Sequence, residues 1–341
     1  MNQLTLRDIG EQGLLARLQR FCPAELVGDD AAVLPGVADR ALVVTTDMLV
    51  DGVHFSVGLA NPLRTTSPAD VGWRSIAANL SDLAAMGATP IGVTVCLGLP
   101  GHVPVAWVEE LYEGMSDCLR PFDTPIVGGD ICRSEIFTVA IAALGKVYPD
   151  QAIRRATAQV GDAILVTGIH GASRAGLELL LHPDQGQGLS IEERAELICA
   201  HQRPHPRLDV IPLIQTVRSE LAIERAIAGM DSSDGLADAI LQICRASGVG
   251  AHLDRAAIPF PAAFAHWLSE EHALEWALYG GEDFELVLCL PSEMAVALQA
   301  RLGSAARIVG AIGAQPDVIL HDSLGKQPDR LLTLDQGFQH F

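Results

Sequence analysis

The stretch Ala41-Leu-Val-Val-Thr-Thr-Asp47 decides how the rest of the chain reads. Its apolar and β-branched residues suit a strand, and a carboxylate closes the run where the strand is expected to end. The same arrangement returns along the chain. Asp130 follows Ile126-Val-Gly-Gly129, Asp231 and Asp234 sit in Gly229-Met-Asp-Ser-Ser-Asp-Gly235, Glu282-Asp283 follow Gly280-Gly281, and Asp29-Asp30 follow Gly28. Asp82 falls one turn before the end of a helix that stops at Met86-Gly87. In open α/β sheets ligands gather beyond the carboxyl ends of strands, and neighbouring glycines let the backbone approach a ligand closely. Acids at strand ends are therefore expected to converge on one site.

Between these acids, short apolar runs alternate with longer amphipathic ones, the pattern of a mixed α/β (α+β) architecture. The spacing predicts helices over Leu4–Phe21, Pro68–Met86, Pro104–Leu119, Ser173–Leu181, Ile191–His201, Arg207–Val217, Ser233–Ala246 and Glu293–Leu302. It predicts strands over Ala41–Thr46, Ile91–Leu97, Pro125–Val127, Phe137–Val147, Ala163–Thr167, Gly250–Leu253, Phe284–Leu290 and Arg307–Ile312. The polar stretch from Tyr148 to Gln159 reads as a junction between a domain at 1–148 and one at 149–341. His182–Ser190, rich in Gly and Pro, reads as a mobile surface loop.

With 23 basic and 42 acidic side chains among 341 residues, the chain carries a formal charge of −19. That balance argues against a nucleic-acid partner, because neutralising phosphates needs clustered Lys and Arg. At 49% hydrophobic and 19% charged residues it has the composition of a folded protein with a substantial core. The seven cysteines are scattered with no C-x-x-C pair, so reduced core thiols in a cytoplasmic protein are expected. No signal peptide is visible at Met1–Asp8. The uncharged run from Leu83 to Val108 is broken by Pro90, Pro100 and Pro104, so no membrane span is expected.

Carboxylates about 4 Å apart repel by roughly 1 kcal/mol in water and about 4 kcal/mol at an effective dielectric near 20. A converging acidic cluster needs cations, and Mg²⁺ prefers such hard oxygen ligands. A plainer reading stands beside this one. Gly-Asp pairs are common in turns, and Asp231-Ser-Ser-Asp-Gly235 also suits capping the helix that follows. No Walker-type loop or dinucleotide-binding glycine pattern occurs. Only Lys146 and Lys326 among the 23 basic residues are lysines, so arginines such as Arg133 and Arg155 are the candidates to hold phosphate. His54 has no second histidine at ligand spacing and reads first as a hydrogen-bonded histidine. No serine or cysteine nucleophile arrangement stands out, so no covalent catalytic residue is expected.

Together these residues are recognisable. Gly28-Asp-Asp30, Thr45-Thr-Asp47 with His54-Phe55, Asn79-Leu-Ser-Asp-Leu-Ala-Ala-Met-Gly87, Gly128-Gly-Asp130, Asp231-Ser-Ser-Asp-Gly235 and Gly280-Gly-Glu-Asp-Phe284 occur in an order and spacing that resemble the thiamine-monophosphate kinases. That family belongs to the superfamily of aminoimidazole-ribonucleotide synthetase and selenophosphate synthetase. The resemblance runs from Gly28 to Gly337-Phe-Gln-His-Phe341.

It implies a two-domain PurM-like fold and a cytoplasmic homodimer. The N-terminal domain would bind ATP and metal and contribute strands to a barrel at the dimer interface, and the C-terminal α/β domain would complete the site. It also implies transfer of the ATP γ-phosphoryl group to thiamine monophosphate, with several Mg²⁺ ions. Carried over residue by residue, Asp30, Thr45, Thr46, Asp47, Asp82, Asp130, Asp231 and Asp234 resemble metal ligands. Gly129, Asp130, Arg155, Ser233 and Tyr112 resemble nucleotide contacts. His54, Glu282 and Phe338 resemble contacts to the thiamine end, Phe338 offering an aromatic face to a cationic ring. The chain departs from the family pattern at Ile131-Cys132, where Thr-Thr is usual, and at Thr157 and Val160, where Gly and Pro are usual.

Phosphoryl transfer mostly requires positioning and charge neutralisation, and the acceptor phosphate is already anionic near neutral pH. Direct in-line transfer without a phospho-enzyme is therefore expected. The rivals are another enzyme of the superfamily with a different acceptor and a non-catalytic acidic module that binds metal or nucleotide.

Overall fold

The computed structural model describes residues 4–22, 38–58 and 63–336. Asp30 and Phe338 lie outside the described residues. The chain divides into two compact units, residues 1–83 with 89–148 and residues 84–88 with 149–341.

The first unit is built from α1 (Leu6–Leu18), β1 (Ala41–Val50), α2 (Pro68–Ala85), β2 (Thr89–Leu99), α3 (Val105–Leu119), β3 (Ile126–Arg133) and β4 (Thr138–Val147). Its four strands form one sheet in the order β1-β4-β2-β3, with only β2 and β3 parallel. Two strands run further than their sequences suggest. Asp47 does not end β1; it lies inside the strand opposite Ile141, because β4 supplies backbone partners as far as Val50. Asp130 likewise lies inside β3 opposite Cys96, because β2 continues to Leu99. A neighbour that satisfies the ladder outweighs the low strand preference of a carboxylate.

One sheet face is apolar and buried through Val93, Val95, Leu97, Val139 and Ile141. The other presents Leu42, Val44 and Met48, which are 61%, 61% and 58% exposed. Cys96 and Cys132 are exposed too, and of the seven free cysteines only Cys118, Cys244 and Cys289 are buried, which corrects the expectation of core thiols throughout. Helices α2 and α3 touch backbone to backbone. A Cβ on Gly72 would lie 2.0 Å from the Leu111 carbonyl oxygen, and one on Gly114 would lie 1.9 Å from that of Ala69.

The second unit contains β5 (Ala163–Val166), α4 (Ala172–Leu181), α5 (Ile191–Gln202), α6 (Val210–Glu220), β6 (Ala228–Asp231), α7 (Leu236–Ser247), β7 (Gly250–Asp254), α8 (Glu270–Tyr279), β8 (Leu286–Leu290), α9 (Ser292–Leu302), β9 (Arg307–Gly313), β10 (Val318–His321) and β11 (Arg330–Leu331). Its seven-stranded sheet runs β11-β10-β7-β9-β5-β8-β6, antiparallel at every pair except β10 with β7. Leu236, Ala237, Ile240, Ile243 and Cys244 form the apolar stripe that seats α7 against Val166, Met230 and Val287. A second core joins α4, α5 and α8 through Leu179, Leu197, Phe264 and Trp276. The His182–Ser190 loop, expected to be mobile, is held by Arg194, whose guanidinium donates to the carbonyls of Pro183, Gln185 and Gly186. No described helix is long and apolar enough to cross a membrane.

Replacing Gly114 by Ala inserts a methyl group into the α2–α3 contact, where backbone cannot yield as a flexible side chain would. Urea unfolding of Gly114→Ala is expected to show a loss of about 2 kcal/mol or more. A wild-type midpoint would mean that the two helices separate without cost.

Candidate active site

In the first unit, the inner face of the sheet gathers part of the acidic set. Thr45 Oγ1 donates to Asp82 of α2, and the Asp47 amide donates to Asn79 Oδ1 at 3.2 Å. Alternation along β1 puts Thr45 and Asp47 on the face that α2 covers. It puts Thr46 on the opposite, exposed face, and the register places Asp130 with it, through Thr46↔Ala142, Ala142↔Thr94 and the pair Cys96↔Asp130. Thr45, Asp47 and Asp82 are therefore brought together, and Thr46 and Asp130 are not brought to them. The Thr46 hydroxyl donates instead to the Ile141 carbonyl at 2.9 Å.

Gly129 has a local reason to be glycine, since a Cβ there would lie 1.9 Å from the Val95 carbonyl oxygen. Tyr112 is 5% exposed and packs on Phe21 with ring centroids 5.5 Å apart, so its ring lies in the core of this unit. Burial pushes its hydroxyl well above the usual tyrosine range. His54 Nδ1 accepts the Val50 amide at 3.1 Å, which leaves the ring proton on Nε2.

In the second unit the antiparallel pairing of β6 with β8 sets Asp231 opposite Leu286. The C-terminal end of one strand thus meets the segment entering the other, and two glycine-rich motifs come into contact. Asp231 is 3% exposed and accepts from Ser233 Oγ at 3.2 Å. The Ser233 carbonyl in turn accepts the Glu282 amide at 2.7 Å. Ser232 Oγ is wholly buried with no hydrogen-bond partner. Helix α7 starts at Leu236, three residues later than its sequence suggests. Its N-cap is Gly235 at φ 106°, and no side chain caps it. The capping reading of Asp231-Ser-Ser-Asp-Gly235 therefore does not describe this turn.

Arg155 is exposed in a short 3-10 turn, Arg155–Thr157. Its carbonyl accepts from Ser247 Oγ at 2.7 Å, and the Thr157 hydroxyl reaches the Ile227 carbonyl at 2.9 Å, so an anchoring side chain stands where the family pattern has glycine. Asp238, in the first turn of α7 and four residues beyond Asp234, belongs to none of the sequence motifs. Burial and the Asp234 charge raise its carboxyl, and Arg155 opposes that shift. The four-residue spacing of Asp234 and Asp238 within the helix predicted over Ser233–Ala246 is the signal that could have found it.

The loop from Gly280 to Glu285 is tied at several points. Gly281, Glu282 and Phe284 have φ of 68°, 60° and 53°. Asp283 accepts from the Gly171 and Ser173 amides at 2.6 and 2.9 Å, satisfying the start of α4. Glu285 pairs with Arg207 and accepts from the Thr167 hydroxyl. Two non-glycine residues in the left-handed region are strained, of order 1–3 kcal/mol each, and persist only where the surroundings over-determine them. Among the described residues, no group of three or more His, Cys, Asp or Glu side chains is placed to hold a metal ion.

A two-domain acidic protein of this topology defines a class, and its relatives show which. Residues 28–147 match the N-terminal domain, and residues 159–323 the C-terminal domain, of AIR synthase related proteins. A thiamine-monophosphate kinase from Synechococcus elongatus is 51% identical over 342 residues, covering 100% of this chain and 99% of that one. The crystal structure of thiamine-monophosphate kinase from Stenotrophomonas maltophilia K279a superposes with a TM-score of 0.77 at 32% identity, covering 90% of this chain and 95% of that one. That of AaThiL complexed with AMPPCP and TMP gives 0.73 at 30% identity, covering 100% of both chains. The chain belongs to the thiamine-monophosphate kinase family.

Loss of hydration raises the Asp283 carboxyl from 3.8 to about 7, against the pull of its two amide donors. The folded protein then holds a proton that the unfolded chain releases, so the stability this group gives is present at low pH and lost as pH rises from about 4 toward 7. His170, wholly buried with its pKa lowered to about 4, acts with the opposite sign below its ordinary 6.5. The comparison is therefore between wild type and Asp283→Asn. The stability difference, wild type minus variant, is expected to fall between pH 5 and pH 7, and parallel profiles would show that Asp283 does not titrate there.

Proposed function

We propose that this protein catalyses ATP-dependent phosphorylation of thiamine monophosphate to thiamine diphosphate by direct in-line transfer. The observation that carries the reading is likeness along the whole chain to a thiamine-monophosphate kinase, with every acidic motif in place. On this reading residues 1–148 form the ATP- and metal-binding domain. Residues 149–341 supply Asp231, Asp234, Ser233, Arg155 and Glu282. The free thiols and the need for ATP support work in the cytoplasm.

The donors are carboxylates and hydroxyls, hard oxygens that suit Mg²⁺, and the buried, unpartnered Ser232 hydroxyl beside Asp231 fits a ligand at that turn. Mg²⁺ keeps several waters and binds through one or two carboxylates plus substrate phosphates, so a ready-made cage of three side chains is not required. We assign the metal role to Asp47 and Asp82 with Thr45, to Asp231 and Asp234, and to Asp30. Asp130 and Thr46 are proposed for the same role from the other face of their sheet. A bound metal would neutralise phosphate charge, in a chain whose only lysines are Lys146 and Lys326. The chain's own residues do the positioning. Thr45 orients Asp82, Asn79 fixes the backbone at Asp47, and Ser233 orients Asp231. Arg155 and the backbone at Gly129 are proposed for the nucleotide, together with Tyr112. His54, Glu282 and Phe338 are proposed for the acceptor, Glu282 facing its cationic end.

We further propose a homodimer through the first sheet. Leu42, Val44 and Met48 put exposed apolar side chains on one of its faces, which Thr46 and Asp130 share, and β1 and β3 are both edge strands. Light scattering should give twice the 36.2 kDa chain mass, and Val44→Glu should shift it to the monomer mass. A wild-type monomer at working concentrations would remove this proposal.

The decisive assay incubates the protein with MgATP and either thiamine monophosphate or thiamine, and separates the products by fluorescence chromatography. Thiamine diphosphate should form from the monophosphate alone and disappear with EDTA, and ATP labelled at the γ position should leave no ³²P on the protein. Asp47→Asn and Asp231→Asn should each lower turnover by about two orders of magnitude or more while keeping the wild-type Tm. Absence of product from a folded protein that binds MgATP would transfer the reading to another acceptor.

A further inference from the structure

The acceptor-side loop is braced by a histidine that the sequence motifs do not include. His201, near the end of α5, is 2% exposed. Its Nδ1 lies 3.1 Å from Ser173 Oγ and 3.7 Å from Glu282 Oε2. Ser173 sits in the first turn of α4 and is wholly buried, so it is no nucleophile. Serine and carboxylate face the same ring nitrogen, the serine within hydrogen-bond distance and the carboxylate just beyond it, so this is a bracket and not a proton relay. The bracket is set by helix packing: a Cβ on Gly176 would lie 2.1 Å from the Leu197 carbonyl oxygen and 2.9 Å from His201 Cβ. Only glycine lets α4 come this close to α5, and that approach delivers the imidazole to Ser173.

The same turn of α4 holds the loop from a second side, because the Ser173 amide donates to Asp283 while its hydroxyl meets His201. Glu282, with φ at 60° and its amide on the Ser233 carbonyl, thus has its backbone fixed at two points. Its side chain is 33% exposed, and His201 is one of the groups that restrict its rotamers.

We infer that His201, seated by Ser173, is a positioning residue that holds the Glu282 carboxylate for the cationic end of the acceptor. This rests on the reading of Glu282 as an acceptor contact. The α4–α5 pair then belongs to acceptor recognition although neither helix carries a motif residue. A carboxylate held in one place loses less freedom on meeting a cation, so the effect falls on acceptor binding and spares ATP.

The test is a double-mutant cycle in the full chain, reading KM for thiamine monophosphate, KM for MgATP and kcat. Glu282→Gln should raise KM for the acceptor about tenfold, the size expected for a hydrogen bond or contact to a charged group. His201→Leu should raise it about fivefold with KM for MgATP within about twofold. His201→Asn, whose amide nitrogen stands near the place of Nδ1, should restore most of the loss. In the Glu282→Gln background His201→Leu should add less than about twofold. Multiplying effects, or an equal rise in KM for MgATP, would overturn the inference. A silent His201→Leu beside an affected Glu282→Gln would overturn it while sparing Glu282's role; a silent Glu282→Gln would remove that role and the inference together. Where His201→Leu fails to fold, Ser173→Ala takes its place, expected to act in the same direction by about threefold, and a silent Ser173→Ala overturns the inference.

Discussion

The antiparallel pairing of β6 with β8 governs how the acidic motifs of the second unit meet. It places Asp231 opposite Leu286, and the Ser232 amide donates to the Glu285 carbonyl at 2.9 Å. Two motifs separated by about fifty residues therefore share backbone contacts, and Ser233 becomes neighbour to Gly281 and Glu282. A parallel pairing would send the loop before β8 to the far end of the sheet. The carboxyl-end rule for parallel sheets, which first suggested convergence of the acids, is thus not what assembles this turn. Antiparallel registry does it.

The first unit shows how strictly a sheet sorts its residues. Thr45 and Thr46 are adjacent in sequence and lie on opposite faces, one turned toward Asp82 and the other donating to a strand carbonyl. Such alternation separates a run of oxygen-bearing residues into two groups with different surroundings. Asp82 and Asn79 of α2 meet β1 through the Thr45 hydroxyl and the Asp47 amide.

Much of the fold was legible because β-branched runs and amphipathic stripes report burial directly. The run Thr138–Val147 and the α7 stripe are examples. β6 was not legible: Ala-Gly-Met-Asp lacks β-branched residues and becomes a strand only because β8 offers it a ladder. The ends of β1 and β3 were misjudged for the same reason, since a strand stops where its neighbour stops. α8 was missed because its sequence, Glu270-Glu-His-Ala-Leu-Glu-Trp-Ala-Leu-Tyr279, buries more than one side of the helix and shows no narrow stripe. At the candidate site, Asp47, Asp82, Asp231 and Glu282 were readable from their glycine, serine and threonine neighbours. His201 and Asp238 were not, because their meaning depends on which helix packs beside them or which charge lies four residues away.

The exposed side of the four-stranded sheet has a thermal consequence. Burial of aliphatic side chains such as Leu42, Val44 and Met48 is driven near room temperature by solvent entropy and weakens on cooling. An association resting on that face loosens in the cold, whereas the ion pairs and hydrogen bonds that hold the Gly280–Glu285 loop do not depend on temperature in that way. Storage on ice would then act on the proposed homodimer while leaving each chain folded.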